Sequence, residues 1–150
     1  MMRRAIALSE ENLRSGGGPF GAVIVKAGRI IAEGINRVTP ANDPTAHAEI
    51  VAIREACRVL GRFHLRGCEI YASCEPCPMC MGAIYWARLD RVYFAGSRDD
   101  AAGAGFDDAL IHEALAASPG AQIVPAEQLL HEEARRAFDE WERKADRVDY

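Results

Sequence analysis

A chain of 150 residues, 49% of them apolar, lies in the usual range for one domain and can bury a core without covalent staples. Its formal charge of −4, with acids and bases interspersed, supplies no basic tract for a nucleic-acid backbone and favours a small substrate that is not a polyanion. No apolar run approaches the roughly 20 residues of a membrane span, and Met1-Met2-Arg3-Arg4 lacks the apolar stretch of a secretory signal; the expectation is one domain over residues 1–150, in the cytoplasm and away from membranes.

In chain order, Met2, Ala5, Ile6 and Leu13 can share one helical face, and the helix should end at Ser15-Gly16-Gly17-Gly18-Pro19. The apolar runs Ala22 to Val25 and Ile30 to Ala32, joined by Lys26-Ala27-Gly28-Arg29, predict an antiparallel hairpin. After a loop with Pro40 and Pro44, the spacing of Ile50, Ile53, Cys57 and Leu60 predicts a helix with one buried face. Cys68 to Cys74 suits a strand, Pro78 to Ala87 a helix, and Arg91 to Ala95 a strand. Strands joined by a packed helix should lie parallel, which predicts a mixed sheet with helices on both faces. Asp108 to Ala116 reads as a helix and Gln122-Ile123-Val124 as a short strand. Ala134, Ala137, Phe138, Trp141 and Ala145 mark a last amphipathic helix, with Trp141 on its packing face.

Three of the five cysteines crowd into Cys74-Glu75-Pro76-Cys77-Pro78-Met79-Cys80, a spacing that suits metal ligation or redox chemistry better than a disulfide framework in a reducing compartment. Cys57 and Cys68 sit in apolar surroundings and read as core. A second cluster, Asn42-Asp43-Pro44-Thr45-Ala46-His47-Ala48-Glu49, completes an H-x-E followed by P-C-x-x-C, the pattern of zinc deaminases. Each cluster should open a helix, with Pro44 and Pro78 where a missing amide hydrogen costs nothing. Cys77 and Cys80 fall on one side of a first helical turn, where the helix N-terminus and a cation both favour thiolates. With His47 as third ligand, zinc keeps a fourth position for water. His47 and Glu49 are about 200° apart on a regular helix, so both reach the ion only if it sits off the helix's N-terminal end. From there Glu49 can carry protons between water, a ring nitrogen and a leaving amine. The competing reading makes Cys74 a fourth ligand and the zinc structural, in a binding module without chemistry.

These residues resemble the cytidine-deaminase-like superfamily and, within it, the short bacterial-type guanine deaminases. The likeness extends through Gly17-Gly-Pro-Phe-Gly-Ala-Val-Ile-Val25, the two clusters, Ile84-Tyr-Trp-Ala87, Gly105-Phe-Asp-Asp108 and the terminal Tyr150. The resemblance implies a three-layer α/β/α fold around a mixed five-stranded sheet. It implies one zinc per chain, a small purine base as substrate, and a homodimer in which C-terminal segments are exchanged in some relatives. It also implies substrate contacts: Asn36 through its side-chain amide, Phe20 and Trp86 as walls of the base pocket, Asp108 as acceptor of guanine's N–H donors, Glu113 as a second carboxylate, and Tyr150 in a lid. An ionised Asp suits donors because it can only accept. Read without the resemblance, Phe20 and Trp86 are core, Asn36 ends a strand, Asp107 or Asp108 caps a helix and Glu113 is solvated. His64, His112 and His131 have no ligand-like neighbours. The likeness weakens between Pro119 and Glu140. Guanine deamination is the first expectation; a zinc deaminase of another aminated ring (ammeline, a nucleoside) or of tRNA adenosine is the alternative, the last needing a basic rim this chain does not show.

Overall fold

Helix α1 (Met2–Arg14) leads into a hairpin of β1 (Gly21–Lys26) and β2 (Arg29–Ile35) in the computed structural model, which describes residues 1–117 and 123–149. Ala27 and Gly28 turn the hairpin with φ of 48° and 73°, two left-handed residues in a row whose twist matches that of paired strands. The short α2 (Val38–Ala41) and the long α3 (Ala48–Leu60) follow, then β3 (Cys68–Cys74), α4 (Pro78–Trp86), β4 (Arg91–Gly96) and α5 (Arg98–Gly103). The sheet order is β2-β1-β3-β4; β1 is antiparallel to β2 and β3, and β3 runs parallel to β4 across α4.

Alternation along β1 divides the core. Ala22 and Ile24 point to one face with Ile70 and pack against Ala48, Ala52, Ile53 and Ala56 of α3 and Ile84 of α4. Val23 and Val25 point to the other, against Leu8 of α1 and Tyr71. Two helices on one face and one on the other make the expected three layers. Helix α3 lies close on β2 because Gly34 has no side chain: a Cβ there would meet the carbonyl oxygen of Ala48 and the amide nitrogen of Ala52. That contact fixes the height of the N-terminus of α3 over the sheet.

Several expectations need correction. Among the described residues the sheet has four strands, not five; Ile123 and Val124 form a bend, and Gln122 lies outside the described residues. The buried stripe of α1 is Ala5, Leu8, Ser9 and Asn12, whereas Leu13 is 59% exposed. Leu13 gave the apolar count its phase, but two polar residues occupy the inward face. Helix α5 was not foreseen, its sequence Arg98-Asp-Asp-Ala-Ala-Gly103 having no apolar stripe; it forms on a capping box in which Ser97 and Asp100 exchange hydrogen bonds.

The chain divides into two compact units, Met1–Ala109 and Leu110–Tyr150. The second consists of most of α6 (Ala109–Ala116) and α7 (His131–Arg143), neither of which has a buried residue. Among the described residues no helix is long and apolar enough to cross a membrane.

Candidate metal centre and active site

Two helix starts carry the metal-binding set. His47 is the N-cap of α3, with φ −66° and ψ 156°, and Cys77 is the N-cap of α4, with φ −65° and ψ 168°. Both residues are in extended backbone, so their side chains project off the ends of their helices rather than along the flanks. Pro78 occupies the first turn of α4 as expected, where its missing donor is not needed. Pro44 does not open α3: it lies in a turn that closes when Asp43 accepts from the amide and hydroxyl of Thr45 at 2.8 and 2.7 Å. The segment is tied to β2 by Arg37 N–H donating to the Ala46 carbonyl at 2.8 Å. On the other side, Glu75 N–H donates to Gly96 O at 2.8 Å, and the Glu75 carboxylate accepts from Arg98 N–H at 3.2 Å at the start of α5. The loop before Cys77 is thereby clamped to the end of β4.

The donor atoms of His47, Cys77 and Cys80 all lie within 4.8 Å of one another. His47 Nδ1 is 3.5 Å from Cys77 Sγ and 3.6 Å from Cys80 Sγ. For a tetrahedral zinc with ordinary Zn–N and Zn–S lengths, the nitrogen–sulfur separation should be about 3.6 Å. The cluster therefore has the size of a zinc site. Its charges are coupled as well: the Cys80 thiol and His47 beside it pull Cys77 down to about 4, while that neighbouring thiolate and burial push Cys80 up. Two thiolates next to a buried carboxylate need a cation to coexist. Cys77 in turn raises His47. Cys74 is not drawn into the set; its Sγ faces the Ser97 carbonyl at 3.5 Å, and burial raises its thiol.

Glu49 stands on the first turn of α3, buried at 8% exposure, and burial above all raises its carboxyl, with the Cys80 thiol as a hydrogen-bonding neighbour. The 200° separation from His47 is resolved because His47 is outside the helix and Glu49 inside it. Asn36 is buried just past β2, its Oδ1 accepting from Val38 N–H at 3.3 Å. Phe20 is half-buried against the α3 side of the core and meets Phe106 edge to face at 4.9 Å. Asp108 is half-buried; Asp107 accepts from Ala109 N–H at 2.8 Å in a turn that leads into α6. Trp86, 69% exposed, is at the far end of α4, about 13 Å of helical rise from Cys77, and is not gathered with the ligands within its unit. Glu113 is exposed on α6, and Tyr150 lies outside the described residues.

Two polar residues near the site went unread in the sequence. Glu75, between two cysteines, ties the loop to β4 and the start of α5. Asn12, 5% exposed, sits in the buried stripe of α1; its only signal was a polar residue at i+7 from Ala5 and i+4 from Leu8.

Residues 1–96 match the model of the cytidine and deoxycytidylate deaminase zinc-binding region. Over 99% of its length the chain is similar to the guanine deaminase of Bacillus subtilis (strain 168), with 51% identity and 96% of that protein covered. The X-ray structure of the B. subtilis enzyme superposes with a TM-score of 0.96, again at 51% identity and with 99% and 96% of the two chains covered. Similarity to the tRNA-specific adenosine deaminase of Aquifex aeolicus (strain VF5) is 44% over 94 residues, 63% of this chain and 62% of the other. The solved guanine deaminase from Nitrosomonas europaea matches at 37% identity with a TM-score of 0.68, over 71% of this chain and 62% of that one.

Proposed function

The chain belongs to the cytidine and deoxycytidylate deaminase family, and from that membership we propose that its 150 residues act as one zinc-dependent aminohydrolase domain that converts guanine and water to xanthine and ammonia. The observation that carries the substrate is the reach of the likeness: it covers 99% of the chain at 51% identity for a guanine deaminase, against 63% at 44% and 80% at 37% for two tRNA adenosine deaminases.

His47, Cys77 and Cys80 would hold one zinc, whose chemistry in such a site is Lewis-acid activation of water at neutral pH. Glu49 would take a proton from the attacking water as its oxygen adds to the ring carbon bearing the amino group and deliver it to a ring nitrogen, then move the remaining hydroxyl proton of that oxygen to the amine, which leaves as ammonia as the C–N bond breaks and the C=O bond forms. Burial keeps Glu49 able to hold a proton between transfers, and its place off the ligand triangle leaves it free to move one. The separation of Cys74 from the donor set supports a position left for substrate water rather than a closed structural site.

Asn36 and Phe20 contact the base, with Oδ1 of Asn36 engaged by Val38 so that its amide hydrogens face ring acceptors. The family resemblance assigns Trp86, Asp108, Glu113 and Tyr150 to the substrate set as well, each to be tested by substitution. Exposed Tyr85, Trp86 and Phe94 in the first unit, and Leu115 and Phe138 in the second, support association into a homodimer, for which the family resemblance allows exchange of C-terminal segments. The enzyme works in the cytoplasm.

An ammonia-release assay over guanine, adenine, cytosine, ammeline, guanosine and a tRNA anticodon stem tests this reading. Guanine should be turned over fastest; activity confined to the tRNA would transfer the assignment to the adenosine deaminases. Light scattering should give twice the chain mass, and a monomer at full activity would remove the dimer.

A further inference from the structure

We propose that Asn12 is a positioning residue for the base pocket: its buried amide ties the loop that carries Phe20 to the strand end that carries Asn36. Nδ2 of Asn12 donates to the carbonyl oxygen of Gly18 at 2.7 Å and to that of Asn36 at 2.9 Å. Both of its hydrogens are thus spent on backbone from segments far apart in the chain, and two carbonyl acceptors identify that end of the amide as the nitrogen. The circuit closes through the pocket residues themselves: Phe20 N–H donates to Gly18 O at 2.8 Å and Asn36 N–H to Phe20 O at 3.1 Å. Gly17 N–H donates to the backbone carbonyl of Asn12 at 3.0 Å, fastening the loop a second time to the same helical residue.

Packing around this amide is tight. A Cβ on Gly17 would come 2.5 Å from Nδ2 and Oδ1 of Asn12, and one on Gly18 would come 3.2 Å from Cγ and Oδ1 of Asn36. An apolar residue at position 12 would extend the Ala5–Leu8 stripe and serve α1 packing without the desolvation cost of an amide. That exchange would leave the Asn36 carbonyl without its Asn12 donor and release Gly18 from α1, so the amide stands where it fastens both segments to one helix. The remaining bond of the Asn36 side chain, from Val38, orients its amide but not the backbone that bears it.

The inference rests on Asn36 being a substrate contact, so its test is a cycle that examines both. In the full-length zinc enzyme, Asn12→Asp keeps the shape but turns two donors into acceptors facing two carbonyls. It should keep one zinc per chain and the wild-type circular dichroism while kcat/KM for guanine falls about tenfold or more, chiefly through KM. In an Asn36→Ala background the same change should cost less than about twofold, because the group it positions is gone. Gly17→Ala, which displaces the Asn12 amide from a solvent-accessible loop, should give the same pattern and decides the matter alone if Asn12→Asp does not fold. Equal losses in both backgrounds, or wild-type kcat/KM in a folded, zinc-loaded Asn12→Asp or Gly17→Ala, overturn the role of Asn12. Wild-type turnover by Asn36→Ala would instead remove Asn36 from the substrate contacts, and with it the basis of the inference.

Discussion

Replacing Glu49 by Gln separates proton transfer from metal binding and from folding. The carboxyl is 8% exposed, so a residue of the same volume leaves no cavity. Burial already raises this group, so the site accepts an uncharged side chain there. The change should therefore leave the melting temperature within a few degrees and the zinc content at one per chain. What it removes is the only buried carboxylate on the first turn of α3, and positioned proton transfer contributes about 10²–10⁴ in rate. The expected loss in kcat is of that size, about 3–5 kcal/mol of transition-state stabilisation, with KM for guanine little changed. Ammonia release on guanine with metal analysis of the same preparation measures both quantities. A variant that retains zinc and more than about a tenth of wild-type kcat would refute the shuttle; one that loses the metal would show Glu49 to be a ligand.

Other substitutions test the frame around the site. Cys74→Ala should keep one zinc and turn over guanine within a few-fold of wild type, because its Sγ faces Ser97 rather than the donor set; loss of the zinc would make it a ligand. Gly34→Ala forces a methyl into the backbone of α3 and should cost about 1–3 kcal/mol by chemical denaturation, with weaker zinc retention against a chelator, since α3 carries His47; an unchanged midpoint would contradict the close packing. Arg4 grips Glu33 with two bonds of 2.7 Å and holds its carboxyl below the usual range. A depressed carboxylate contributes stability that is full above its ordinary unfolded value near 4.5 and is lost as pH falls through the lower folded value. Because both partners are more than a third exposed, Glu33→Gln should cost only about 0.5–1 kcal/mol at pH 7 and nothing near pH 2 in denaturant titrations.

Residue type and spacing were enough to pick out the His47, Cys77 and Cys80 donor set and the layered class. Three cysteines in seven residues, with a histidine and a glutamate two apart, constrain chemistry through residue type and short spacing. Apolar periods of two and 3.6 placed β1, β2, α3, β3, α4 and β4 within a few residues, because those patterns report burial directly. The same local rules misphased α1, where Ser9 and Asn12 face inward, and passed over α5, whose capping box has no apolar signal. They also expected Pro44 to start a helix that begins only after His47. Tertiary structure alone decided that His47 and Cys77 cap two different helices and meet at 3.5 Å, that Cys74 turns away, and that Asn12 spans two loops. Those outcomes depend on contacts between residues from six to more than thirty positions apart, whose energies arise only when α1, α3 and α4 have docked on the sheet, beyond the reach of a repeat of three or four residues.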